Sequence, residues 1–262
     1  MQHVPQWLSR GNPSLSQTDR TPSGIPGLDA LLGGGFPRGR VILIVGGVGT
    51  GKTIFSAQFL VKGVEEFGEG GLFLSLDESR EHLYREMFQF GWNLKELEKK
   101  KKLAFIDASP IRHLPGEVKI GEMNIGKRDF SLLSVIEALG KGVESVNAKR
   151  IVVDPLAALV LNYPELAERR TAVLDVIEAL SNTNATSILT TELASCGMER
   201  EKQLEEYLAH GVIALQTLKV GNSFVRAIQA LKMRETQTDL QPRPYKISKN
   251  GIVVFPNEAI FR

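Results

Sequence analysis

The chain has 262 residues, room for one large α/β domain or two small ones. Its 42% apolar and 24% charged residues fit a soluble globular protein, and a net charge of +2 leaves no footprint for a general nucleic-acid or acidic-membrane partner. No apolar run approaches the about 18 residues of a membrane-spanning helix, the N-terminus lacks an apolar signal core, and the single Cys196 excludes an intrachain disulfide and fits a reducing compartment, so the cytoplasm follows by elimination.

Residues 1–20 are polar, rich in Gln, Ser, Asn and Pro, and without periodicity. They predict a flexible N-terminal tail whose anchor points are Trp7 and Leu8. Residues 21–262 show neither an internal repeat nor a linker and read as one domain. A short helix is expected over residues 26–32, closed by Gly33–Gly35, with a turn at 37–39. Five apolar residues from Val41 to Val45 then make a buried strand, and residues 53–67 make a helix with Ile54, Ala57, Val61 and Val64 on one stripe and Gly68 as its stop.

A second strand is expected over 71–76, ending in Asp77 and Glu78, and Ser79 can cap a helix running to about Phe90. Residues 94–102 are charged and amphipathic, and their lysine run, 99–102, reads as a solvated helix end. A third strand follows at 103–107. Residues 109–129 have no period and read as a long loop. A helix over 130–146, a strand over 151–154, a helix over 166–180, a strand over 186–191 and a helix over 199–208 come next. The last third breaks into four short runs, 211–218, 224–233, 245–248 and 252–255, with a hairpin signal at Lys249-Asn250-Gly251. The expected fold is therefore α/β: a mostly parallel central sheet flanked by helices, with C-terminal antiparallel strands.

Between the first strand and its helix lies Gly46-x-x-x-x-Gly51-Lys52-Thr53, the spacing of a phosphate-binding loop. Gly47, Val48, Gly49, Thr50 and Gly51 form a curl whose N–H groups can converge on one anion, and Lys52, Thr53 and Ile54 open the helix whose positive end faces it. Lys52 can reach the β- and γ-phosphates, and the Thr53 hydroxyl can ligate Mg²⁺.

Ligands on parallel sheets bind at the carboxyl ends of strands. Asp154, after three apolar β-branched residues, is the second metal candidate. Of the adjacent acids Asp77 and Glu78, only one can face a ligand, because neighbouring side chains diverge. Glu78, with the longer reach, is the first candidate to orient a water against the γ-phosphate, and Asp77 the second. Thr190, Thr191 and Glu192 either sense the γ-phosphate or merely finish a strand; the residues alone leave this open.

The run from Ser23-Gly-Ile-x-Gly-Leu-Asp through Gly33-Gly-Gly-x-Pro-x-Gly39 into the phosphate loop resembles the RecA/RadA/KaiC superfamily. The acidic pair Asp77-Glu78, the segment 205–215 around Gly211, and Leu231-Lys-Met-Arg234 are similar to its KaiC branch. The resemblance implies a RecA-type P-loop NTPase core that binds ATP with Mg²⁺ and assembles into a homo-oligomer, usually a hexamer, with ATP between subunits. It also implies that Lys232 and Arg234 reach the neighbour's γ-phosphate; period-two spacing alone equally fits an exposed basic strand face. The chain departs from the branch in three ways. It has one copy of the core where clock proteins have two, Asp77-Glu78 stands where Glu-Glu is usual, and Pro155 stands where Ser is common.

The favoured reading is a slow, ring-forming ATPase acting as a switch on a protein partner. The alternatives are a recombinase-like DNA-binding ATPase and a pseudo-enzyme using ATP as oligomer glue. DNA binding needs basic loops after the fourth and fifth strands, and in residues 161–170 and 193–202 acids and bases nearly cancel, which weighs against nucleic acid.

Overall fold

The structure is a computed structural model, and it describes residues 19–108, 118–120, 123–125, 132–160, 163, 165–193 and 202–261. Trp7, Leu8, Cys196 and most of the predicted loop over 109–129 lie outside these residues.

The chain opens with β1 (Arg20–Thr21), α1 (Leu28–Leu31), β2 (Phe36–Pro37), β3 (Val41–Gly46) and α2 (Lys52–Phe67). Next come β4 (Gly70–Ser75), α3 (Arg80–Phe88), α4 (Leu94–Lys99), β5 (Leu103–Asp107), β6 (Val118–Ile120) and β7 (Met123–Ile125). They are followed by α5 (Leu132–Val146), β8 (Ala148–Asp154), α6 (Leu156–Val160), α7 (Leu166–Asn182), β9 (Thr186–Glu192) and α8 (Leu204–Leu208). Four strands close the chain: β10 (Gly211–Val220), β11 (Ser223–Met233), β12 (Arg243–Ser248) and β13 (Gly251–Val254).

Among the described residues, nine strands form one sheet in the order β13-β12-β11-β10-β3-β9-β8-β4-β5. From β10 to β5 every neighbouring pair is parallel; β10 to β13 are antiparallel. This is the α/β arrangement that the alternation of strands and helices dictates, since a parallel pair needs a crossover and a hairpin does not.

The period of two along β3 divides the core. Ile42 and Ile44 face the side covered by Phe55, Phe59 and Leu60 of α2 and Met87 of α3. Val41, Leu43 and Val45 face the side covered by Leu139 of α5, Leu156 of α6 and Val173 and Ile177 of α7. All five strand residues are fully buried, which explains why β3 reads as an unbroken apolar run rather than an alternating one.

Three local expectations need correction. Arg20, assigned to the flexible tail, lies in β1 and pairs with Pro37, and Asp19 beside it forms a 2.7 Å ion pair with Arg38. The loop expected over residues 109–129 contains the antiparallel pair β6–β7. The helix expected over residues 166–180 is α7, so residues 166–170 of the segment weighed for DNA binding are helical. The short helix α6 directly follows Pro155 and was not anticipated; Pro155 fits just ahead of a helix, where no backbone donor is required. Of the helix expected over 199–208, residues 204–208 form α8 and residues 199–201 lie outside the described residues.

Candidate nucleotide-binding site

The loop from Gly46 to Gly51 is shaped by contacts that the sequence requires. A Cβ on Gly46 would lie 2.6 Å from the Thr50 hydroxyl and 2.7 Å from the Leu215 carbonyl of β10, so only glycine fits. Gly51 has φ 91°, a left-handed conformation that lets the chain turn sharply into α2. The Thr50 hydroxyl donates to the Gly47 carbonyl at 2.9 Å, fixing the curl, and Val48 at its apex is 92% exposed. The Lys52 ammonium donates to the Gly46 and Gly47 carbonyls at 3.0 and 3.2 Å, which holds it inside the loop. Thr53 and Ile54 follow in the first turn of α2, with Ile54 packed against the core.

The loop also has a floor that the sequence did not reveal. Tyr245 of β12 is buried, and its hydroxyl donates to the Thr50 carbonyl at 2.5 Å. Ile247 and Ile252 of the same hairpin sit beneath Gly51. Burial raises the Tyr245 pKa further above its ordinary value, so the hydroxyl keeps its proton. Gln58 of α2 ties the hairpin down: its amide donates to the Ile252 carbonyl at 3.1 Å and accepts from the Ile252 N–H at 2.7 Å. The sequence signal, an aromatic residue in a short C-terminal strand, carries no hint of a partner so far away in the chain.

Asp154 ends β8, in register with Ser75 of β4. Its carboxylate accepts hydrogen bonds from the Thr190 hydroxyl of β9 and from Thr53. Burial pushes its pKa upward, opposed by those two hydroxyls and by the Lys52 charge. Thr190 thus fixes the Asp154 carboxylate from the neighbouring strand. These oxygen groups suit Mg²⁺, which takes hard oxygen ligands and holds to a protein through one or two carboxylates and the substrate's phosphates.

Glu78 lies in the turn after β4, two residues past Leu76, whose N–H donates to the Asp154 carbonyl at 2.9 Å. The turn is fixed by Ser75, whose hydroxyl donates to the Glu78 carbonyl at 2.6 Å and accepts from the Glu78 N–H at 3.3 Å. The carboxylate is half-buried, and its Oε2 has no partner among the described residues. Burial, with the negative charges of Glu86, Asp154 and Asp77, pushes its pKa up to about 7. Asp77 is exposed, whereas Glu78 is half-buried.

Lys232 and Arg234 are not part of this cluster. Lys232 is in register with Val212, and Val212 with Leu43. The Arg234 N–H donates to the His210 carbonyl at 3.0 Å, and the His210 N–H donates to the Val41 carbonyl at 3.0 Å. Both cations thus sit toward the amino ends of the central strands. Arg234 is level with Val41, five residues before Gly46, or about 16 Å at the rise of a parallel strand. The Lys232 ammonium donates to the Glu206, Tyr207 and Ala209 carbonyls at 3.3, 3.0 and 2.7 Å, capping the carboxyl end of α8. Burial and the nearby Arg234 and Lys202 charges lower its pKa. Arg169, in one of the loops weighed for DNA binding, is neutralised by Glu205 at 2.6 Å.

A protein-family model described as "ATPase: KaiC" matches residues 21–259. A UPF0273 protein of Pyrococcus horikoshii is 34% identical over 94% of this chain and 97% of its own length. The circadian clock oscillator protein KaiC of Prochlorococcus marinus is 32% identical over 97% of this chain, which spans 50% of that protein. Among solved structures, a KaiC-like protein of P. horikoshii superposes with a TM-score of 0.78 at 37% identity, covering 91% of this chain and all of that one. The chain belongs to the KaiC family of RecA-type ATPases.

Proposed function

We propose that this chain hydrolyses ATP slowly in an Mg²⁺-dependent reaction, works as a homo-oligomeric ring, usually a hexamer in the family it belongs to, and acts as a switch on a protein partner in the cytoplasm. In this reading residues 21–262 form one ATPase unit, and the residues implicated in each step divide between two copies. Lys52 leaves the Gly46 and Gly47 carbonyls to meet the β- and γ-phosphates, and the N–H groups of residues 47–54 surround them. Thr53 and Asp154, the latter aimed by Thr190, hold Mg²⁺, which when bound neutralises developing phosphate charge. Glu78 in its ionised form orients the attacking water, with Asp77 adding negative field. Lys232 and Arg234 of the next copy complete the site.

One observation carries this reading. The phosphate loop, Asp154 and Glu78 stand at the carboxyl edge of the sheet, while Arg234 stands at the opposite edge and the Lys232 ammonium is held there on the end of α8. A single copy cannot bring the two groups onto one phosphate. Stacking copies edge to edge can. Particle mass in solution, with and without ATP and Mg²⁺, tests it. A closed assembly that forms with Mg-ATP is the expected result; a monomer that hydrolyses ATP at full rate would contradict it.

A further inference from the structure

Glu235 has φ 60°, in the left-handed region. Of the other non-glycine residues with positive φ, two are asparagines, whose short polar side chains tolerate that region; a glutamate has no such local support. Its surroundings must therefore hold it. Two arginines from the N-terminal part of the chain do so. Arg40, just ahead of β3, forms an ion pair with the Glu235 carboxylate. Arg20 of β1 donates to the Glu235 carbonyl at 2.8 Å, to the Thr236 hydroxyl at 2.5 Å and to the Gly35 carbonyl at 3.3 Å. On the other side the backbone of Arg234 is pinned to the His210 carbonyl. Arg234 is thus an exposed side chain on a backbone fixed from both directions.

We propose that Arg40 and Glu235, supported by Arg20, form a latch that positions Arg234 for its encounter with the phosphate bound by the neighbouring copy. The inference rests on the across-subunit reading of Arg234. The latch acts on the direction in which the guanidinium leaves the strand and touches no nucleotide itself, so Arg40 and Glu235 are positioning residues. The Arg40–Glu235 pair is partly exposed, with side chains 38% and 41% accessible, so its contribution to folding is small. Its effect on geometry is larger, because a misplacement of about 1 Å costs up to about a hundredfold in rate.

The test measures kcat and KM for Mg-ATP, and particle mass, for Arg40→Ala, Glu235→Gly, Glu235→Gln and the charge-swapped pair Arg40→Glu with Glu235→Arg. The latch predicts kcat about tenfold lower in the single variants, KM and mass little changed, and recovery in the swapped pair. Glu235→Gly is the sharpest variant. It relieves the backbone strain, so a purely conformational role predicts no loss, whereas the latch predicts loss. Glu235→Gln carries the test should Arg40→Ala fail to fold. Mixing Arg40→Ala with Lys52→Ala subunits restores activity if Arg40 acts through Arg234, as mixing Arg234→Ala does. Wild-type kcat in both Glu235 variants, with Arg234→Ala inactive, overturns the latch alone. Wild-type kcat in Arg234→Ala overturns the latch together with the across-subunit reading beneath it.

Discussion

The Tyr245 hydroxyl donates a 2.5 Å hydrogen bond to the Thr50 carbonyl, joining a C-terminal strand to the phosphate loop 195 positions earlier in the chain. The bond is buried, and it holds the loop from the side of the C-terminal hairpin. Tyr245→Phe keeps the ring and its packing but leaves the Thr50 carbonyl without its partner, a loss of about 1–3 kcal/mol. The expected outcome is an Mg-ATP Kd raised about tenfold in calorimetry, with the fold intact by circular dichroism. An unchanged Kd would mean that the loop keeps its shape without the brace.

Glu78 supplies a pH dependence. Its carboxylate must be ionised to orient water, and burial raises its pKa to about 7. Activity should therefore rise with pH through about 7 in the kcat/KM profile, which reports groups of the free enzyme. The linked effect on folding runs the other way. The folded pKa lies above the unfolded one, so the stabilising contribution of the protonated form is present below the unfolded value and fades as pH rises through 7. Glu78→Gln should bind Mg-ATP normally, turn over far more slowly and lose this limb of the profile. Unchanged turnover would reduce Glu78 to a turn residue.

Thr190→Val removes the hydroxyl that points the Asp154 carboxylate. Val is close in shape, so the fold should survive. The Mg²⁺ concentration giving half-maximal activity should rise about tenfold, in the range seen when an orienting partner of a metal ligand is lost. The same Mg²⁺ dependence as wild type would return Thr190 to the role of a strand-end residue.

A purely structural prediction concerns Arg150, which is fully buried in β8. It is paired with Glu69 at 2.7 Å, donates to the Phe59 carbonyl at 2.9 Å and lies over the Phe59 ring. Glu69→Ala leaves the guanidinium without its anion and should cost about 3–5 kcal/mol in denaturant unfolding. A change below about 1 kcal/mol would mean that the Phe59 carbonyl and ring suffice.

What the sequence made legible follows from the range of the interactions involved. The phosphate loop could be read because its backbone geometry demands glycines, lysine and threonine at fixed spacing. Asp154 stood out because it ends an apolar β-branched run, and the α/β order because strands and helices alternate. The roles of Thr190, Tyr245 and Arg20 depend on partners on other strands. Thr190 meets Asp154 only because β8 and β9 are neighbours in register. Tyr245 meets Thr50 only because the C-terminal hairpin folds under the loop. Arg20 ends a polar stretch without periodicity, and its anchoring to Thr236 has no local signature. Lys232 was legible as a cation on a strand, whereas its grip on the end of α8 required the packing of that helix.

The central claim is that each active site is shared between two copies, with Lys52 on one and Arg234 on the next. Mixing Arg234→Ala subunits with Lys52→Ala subunits tests it most directly. Each variant alone should show at least a hundredfold less ATPase activity, about the contribution of a charged group that stabilises transferring phosphate. In mixed assemblies an intact phosphate loop meets an intact Arg234 at some interfaces, so activity should return and depend on the mixing ratio. No recovery at any ratio, or full activity of Arg234→Ala alone, would contradict the shared site.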